Sequence, residues 1–405
     1  MRYNDLVYGA IEVPQEVWEL FSDPILVRLR NISQAVLPVE MNPFGTAMNR
    51  FQHGLGVWWL LQHLCRREEF RHLSPTLPLA GLLHDAGNPP FSHTGDWFMR
   101  DAIGHDGETH LREVLIGSEL AVRLRRLGAD PERIADLVAG NAKPWSDLLA
   151  GSLDADNLDN IKRYGMAQGL DGVDYNAHRI LDALQFSLGG DAIELDGGAF
   201  PEVQRWKHAR RVVYRSVYSE SHLGMAMMLQ RALEIAYVRK EIAPSFWRFS
   251  DPEAIGHLLK TNDGTRALIE RLRGLQAYNL VAAWDGTEPP FECNWSDWRV
   301  RKAVADDAAE TAGAKPWQAA AYLGVGRDAK RISLLFRTPE GEVHPDSAED
   351  PPQYRIRIYL HPRAASTKLL RLIDGDVVAF ARRAVNGRFP KSVEPPKAVS
   401  AQAGF

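Results

Sequence analysis

Apolar residues at Val57, Leu60, Leu61 and Leu64 recur at helical spacing, and His53 lies on the same face one turn earlier. An imidazole on the inward face of an apolar helix must find a hydrogen bond or a ligand, because burying it alone costs several kcal/mol. A second apolar segment, Pro78 to Ala86, has proline near its start, Gly87 just after it and the pair His84-Asp85 near its end. Asp130-Pro131-Glu132 opens another helix, and Met225 to Ala236 has the composition of a buried one. Few segments between residues 16 and 285 alternate with a period of two, so this region is expected to be mainly α.

The pattern changes at Trp284-Asp285-Gly286-Thr287-Glu288-Pro289-Pro290, where a turn signal meets a double proline. Beyond it lie two expected strands, Arg331 to Thr338 and Tyr354 to His361, the second alternating Tyr354, Ile356, Ile358 and Leu360 with Arg355, Arg357 and Tyr359, as a half-buried strand does. A polar loop is expected from Pro339 to Pro352, and a helix from Asp374 to Arg383. The chain thus divides into a helical domain over 1–285, a smaller α+β lobe over 286–389 and a loose Pro-rich tail over 390–405.

With 45% hydrophobic and 25% charged residues the chain is neither a disordered tract nor a disulfide scaffold. A net charge of −4 gives no general attraction to DNA or an anionic bilayer. Met1 to Asp5 lacks the apolar core of a signal peptide, and no apolar run approaches the ~20 residues of a membrane helix. The two cysteines, Cys65 and Cys293, could form one bridge, but two free thiols in a cytoplasmic protein is the simpler expectation.

A third helix is expected to begin near Asp154-Ala155-Asp156-Asn157-Leu158-Asp159. His53, His84, Asp85 and Asp156 therefore all fall at the ends of apolar helices. Two imidazoles and two carboxylates make a mixed N/O set suited to one divalent ion (Mn²⁺, Fe²⁺, Mg²⁺, Zn²⁺ or Ni²⁺) rather than to a thiolate knot. A hydrogen-bonded core histidine and a chance His-Asp pair are the competing readings of each residue taken singly.

With these segments, and with Val27-Arg28-Leu29-Arg30-Asn31-Ile32-Ser33-Gln34, Arg50-Phe51-Gln52-His53 and Pro90-Phe91-Ser92-His93, the chain resembles the HD-domain metal phosphohydrolases. Within them it is similar to the deoxynucleoside triphosphate triphosphohydrolases of the sterile-alpha-motif/HD-domain type. The resemblance implies a helical HD core, metal ligation by His53, His84, Asp85 and Asp156, a nucleotide substrate and a homo-oligomer. It also implies that His110, oriented by Asp96, protonates the leaving oxygen, while His93, Arg50 and Arg210 contact phosphate. Gln34 would read the sugar 3′-hydroxyl, and Tyr218 would lie beneath the sugar.

Asn157 and Asn160 stand where Lys and Tyr are usual in those enzymes, and Asn88 where a histidine is common. Each lost charged hydrogen bond to phosphate removes about 1.5–3 kcal/mol, which Arg210 or Lys162 would have to offset. A dNTP triphosphohydrolase releasing nucleoside and tripolyphosphate is the leading expectation. A phosphatase of nucleoside monophosphates or other esters, and a non-catalytic nucleotide sensor, are the alternatives. A di-iron oxygenase would need His93, His105 or His110 as further ligands. Two weaker signals complete the reading: Gly324-Val325-Gly326 is expected to be a plain turn, and the basic run Arg205, Lys207, Arg210, Arg211 and Arg215 is a solvated helix face or a contact for polyphosphate or single-stranded nucleic acid.

Overall fold

The computed structural model describes residues 1–295, 297–326, 334–345, 351–364 and 376–388. A hairpin of β1 (Arg2–Asp5) and β2 (Gly9–Glu12) opens the chain, followed by α1 (Gln15–Leu20) and α2 (Pro24–Leu29). The central helix, α3 (Arg50–Leu64), packs against α4 (Thr76–Leu83). Next come α5 (His93–Ile103), α6 (Gly107–Leu115), α7 (Glu119–Arg126), α8 (Pro131–Val138), α9 (Asp147–Ala150) and α10 (Ala155–Ala167). Then α11 (Ala177–Asp182) leads through β3 (Leu184–Phe186) and β4 (Ile193–Asp196) to α12 (Phe200–Val217), α13 (Glu220–Val238), α14 (Asp251–Leu258) and α15 (Asp263–Arg273).

The expected helices are present among the described residues, and three of them start at a side-chain cap. Asn49 caps α3 by accepting from the Gln52 amide at 2.9 Å. Asp130 accepts from Glu132 at the head of α8, and Asp154 from Asn157 at the head of α10. Helix α3 is buried on nearly every side, beyond the single stripe that Val57 to Leu64 suggests, because α4 and α10 both pack on it. Gly54 permits the first approach, since a Cβ there would sit 2.6 Å from the Leu82 carbonyl oxygen.

The second part contains β5 (Asn279–Gly286), α16 (Trp298–Ala312), β6 (Ala319–Gly326), β7 (Leu335–Arg337), β8 (Val343–Pro345), β9 (Gln353–Leu360) and α17 (Val377–Arg388). Strands β5, β9 and β6 form an antiparallel sheet with β9 in the middle. The expected boundary at residue 285 falls inside β5, which belongs to that sheet. Ile356, Ile358 and Leu360 enter a core with Val304, Ala308, Leu323 and Phe380, whereas Tyr359 enters the large helical core. The half-buried expectation for this strand is therefore corrected: from Ile356 onward both faces are covered, and Arg357 is accommodated by its ion pair with Asp285 at 2.7 Å.

Other corrections concern short strands. Gly324-Val325-Gly326 is the end of β6 rather than a turn, and the expected loop after Pro339 contains β8. A further sheet, ordered β3-β4-β7-β8, joins two strands inside the supposedly helical region to two near residue 340. Residues 331–333, 374–375 and 390–405 of the expected strand, helix and tail lie outside the described residues. Cys65 and Cys293 are free thiols, and among the described residues no helix is long and apolar enough to cross a membrane.

Candidate metal centre and cleft

His53 lies in the first turn of α3, fully buried between two carboxylates of α10. Its Nδ1 is 2.7 Å from Asp159 Oδ2 and its Nε2 2.8 Å from Asp156 Oδ1. Burial pulls the ring's pKa down, but the hydrogen bonds to Asp156 and Asp159 outweigh it and raise it to about 9. Residues 156 and 159 lie one turn apart on α10, so the helix presents both oxygens to one ring.

His84 is the C-cap residue of α4. Its Nδ1 donates to the Gly81 carbonyl at 2.8 Å, which leaves Nε2 as the bare nitrogen. That Nε2 is buried without a hydrogen-bond partner, 3.8 Å from Asp156 Oδ1. The ligand atoms of His53, His84 and Asp156 all lie within 4.8 Å of one another. An orphaned imidazole nitrogen, a second imidazole and a carboxylate fit a divalent first-row ion.

Asp85 stands beside this group rather than within it: its Oδ2 is 3.3 Å from His84 Nε2 and 3.9 Å from His53 Nε2. Arg50 donates to both its oxygens, at 3.0 and 2.9 Å, and Asn88 donates to Oδ1 at 2.6 Å. Burial would raise the Asp85 carboxyl, but Arg50 and the His84 and His53 rings hold it well below the usual range. Arg50 also donates to the Ser92 hydroxyl, so it clamps Asp85 while lining the cleft where the expected phosphate contact would be made. Ser92 and Phe91 both adopt positive φ, 49° and 63°. Asp251, at the first turn of α14, pins this turn by accepting from the Phe91 and Ser33 amides.

A cleft opens from the metal group, lined by Gln34, Arg50, His84, Asp85, Asn88, His93, Asp96, Glu108, Asp156, Asn157, Asn160, Tyr164, Arg210 and Tyr214 among others. Neither His110 nor Tyr218 is among its walls. The implied pair of Asp96 with His110 is not formed. Asp96 Oδ2 instead accepts from His93 Nδ1 at 2.9 Å, and its Oδ1 from the Gly107 amide. His110 is buried with Nδ1 on the Gly87 carbonyl at 3.1 Å, and burial pushes its pKa down. Tyr218 stacks behind Tyr214 at 6.2 Å and lies under the Arg355 guanidinium, so Tyr214 is the ring that faces the cleft.

Gln34 donates from Nε2 to Asn160 Oδ1 at 3.0 Å, while its Oε1 is buried without a partner. Asn157 gives its amide to Asp154, and Lys162 turns away to the carbonyls of Val173 and Tyr175. Lys207 and Arg210 are buried on α12, which corrects the solvated-face reading for those members of the basic run. Among the described residues, His93, His105 and His110 stay outside the ligand group, leaving the oxygenase reading without its second metal set.

Three wall residues and the buried Asp159 escaped sequence reasoning. Glu108 faces the cleft with its carboxyl pushed up to about 8 by burial and by Asp106 and Asp96. Asp159 was visible only as the residue one turn beyond Asp156. Tyr164 and Tyr214 carried no signal beyond helical position.

The family described as HD domain matches residues 50–166, the stretch that holds His53, His84, Asp85 and Asp156. An uncharacterized protein of Mycoplasma pneumoniae is 26% identical over 264 residues, 58% of this chain and 60% of its own length. An uncharacterized protein of Bacillus subtilis is 26% identical over 227 residues, 53% of this chain and 51% of its own length. The chain thus spans about half to two thirds of the curated relatives it matches. A shorter match, 36% identical over 104 residues, pairs 23% of this chain with 16% of the deoxynucleoside triphosphate triphosphohydrolase SAMHD1 of Gallus gallus. The crystal structure of a hypothetical protein from Aquifex aeolicus shares the fold, with a TM-score of 0.68 and 19% identity over 90% of this chain and 97% of that one. Residues 50–166 are therefore similar to the HD-domain family, and part of the chain is similar to a deoxynucleoside triphosphate triphosphohydrolase.

Proposed function

We propose that the protein hydrolyses nucleotide phosphate esters at this centre, with deoxynucleoside triphosphates as the first substrate class. The observation that supports it is the convergence of the His53, His84 and Asp156 ligand atoms beside a cleft whose walls include His84, Asp156 and Gln34, with Gln34 Oε1 unpartnered. His53, His84 and Asp156, with Asp85 adjacent, would hold a divalent ion, which would supply an activated water near neutral pH and a Lewis acid for a phosphoryl oxygen. The chain's own residues do the rest. His93, held by Asp96 through Nδ1, turns Nε2 toward the departing oxygen and supplies its proton. Arg210, whose guanidinium lies 4.6 Å over the Tyr214 ring, meets phosphate charge, and the Tyr214 ring walls the sugar. Gln34 Oε1 accepts from a sugar hydroxyl while Asn160 fixes its amide.

A second reading, a nucleoside monophosphate or other monoester as substrate, has its own support. The cleft carries the carboxylates of Asp85, Asp96, Asp106, Asp154 and Asp156, while Arg50 is paired to Asp85 and Arg100 to Asp106. Fewer uncommitted cations favour a less highly charged phosphate. Purified protein with Mn²⁺ or Mg²⁺ is to be incubated with dNTPs, NTPs and monophosphates, and the products resolved by ³¹P NMR. Tripolyphosphate supports the first reading and orthophosphate from monophosphates the second. No release from any nucleotide, with metal bound, rejects both.

A further inference from the structure

The N-terminal hairpin reaches the metal group through an unbroken line of buried charge. Asp5 ends β1, and its Oδ1 accepts from the Val7 and Tyr8 amides at 2.8 and 3.1 Å, so the hairpin turn folds around this carboxylate. Arg163, on α10, donates to Asp5 Oδ2 at 3.0 Å and Oδ1 at 3.2 Å. The same guanidinium donates to Asp159 Oδ2 at 2.8 Å and Oδ1 at 2.9 Å, and Asp159 Oδ2 accepts from His53 Nδ1 at 2.7 Å. The side chains of Asp5, Arg163, Asp159 and His53 are all 1% exposed or less. A Cβ at Gly56 would overlap the Asp159 carboxylate and crowd the guanidinium, so the sequence of α3 leaves room for this contact.

We infer that Asp5 is a positioning residue of the metal centre, setting the orientation and donor strength of His53 through Arg163 and Asp159. A carboxylate behind a ligating histidine fixes its tautomer and strengthens the nitrogen that faces the ion. Here that carboxylate is shared with a guanidinium, which draws charge away from it. Asp5 supplies the opposing charge on the far side of the guanidinium, so Asp159 keeps its hold on the Nδ1 proton. The buried row alternates in sign, and removing its outer carboxylate leaves the Arg163 guanidinium to draw on Asp159 alone, beside a site meant for another cation.

This inference rests on His53 being a metal ligand, and the experiment separates the two claims. Mn²⁺ titration of the full chain is to be followed by electron paramagnetic resonance or calorimetry for the wild type, Asp5→Asn and Arg163→Lys. The melting temperature and the His53 ring ¹⁵N resonances of each metal-free form are recorded alongside. Asp5→Asn is expected to weaken Mn²⁺ binding about 10–100-fold and to shift the His53 nitrogens. Arg163→Lys, which keeps the charge but loses the fork, is expected to act in the same direction if Asp5→Asn fails to fold. A lowered melting temperature with unchanged Mn²⁺ affinity and unchanged ring signals makes Asp5 a purely structural residue and overturns the inference. A wild type that takes up no Mn²⁺ removes the metal-centre reading itself, and the inference with it.

Discussion

His93 and His110 both engage a hydrogen bond through Nδ1, yet only His93 faces the cleft. His93→Ala is therefore expected to lower kcat about 100- to 10,000-fold with bound metal unchanged, the usual range for a lost general acid. His110→Ala removes a core contact instead, so its signature is a lower melting temperature with kcat close to the wild type. Steady-state kinetics beside metal analysis separates the two, and the opposite pattern would return the proton to His110. Asp251 offers a test by pH. Burial raises its carboxyl from 3.8 to about 6 despite the Phe91 and Ser33 amides it accepts from. A carboxyl raised in the folded state favours folding below its unfolded pKa, and that contribution is lost as pH rises through the folded value. The stability of the wild type relative to Asp251→Asn should fall by up to ~3 kcal/mol between pH 4 and 6, read by urea unfolding across that range. A flat difference would mean the carboxyl is not shifted.

At the scale of elements, the sequence made the helices around the metal legible because their signals are local. Val57, Leu60, Leu61 and Leu64 repeat at the helical period, and Asn49, Asp130 and Asp154 are ordinary caps. Arg163 was not legible as a partner of Asp5, since 158 residues separate them and neither lies in a periodic pattern that points to the other. The same limit applies to Tyr214 and Tyr218. Both sit at the end of α12, and only the packing of Tyr322 and Arg355 behind Tyr218 decides which ring the cleft receives. Short strands such as β3 and β8 escape periodicity because three residues hold too little alternation to detect. The fit between α3 and α10 supplies a prediction of its own. Gly56→Ala should destabilise the metal-free protein by about 1–3 kcal/mol through overpacking and weaken Mn²⁺ binding as Asp159 is displaced. Unaltered unfolding and unaltered Mn²⁺ titration would show that the two helices part without cost.

For the molecule as a whole, a ligand that binds only the folded state adds to its stability by mass action. At free Mn²⁺ 100 times its dissociation constant the gain is about 2.7 kcal/mol, visible as a raised melting temperature that a chelator reverses. A melting temperature indifferent to both would contradict a site assembled from α3, α4 and α10. Strand β9 has a different whole-molecule consequence. Because Tyr359 is anchored among the helices while Ile356, Ile358 and Leu360 fill the neighbouring core, neither half can peel away while leaving its share of that strand intact. Calorimetry of the full chain should register one endotherm, and a truncation at Ile358→Ala should move the entire transition rather than split off an early shoulder.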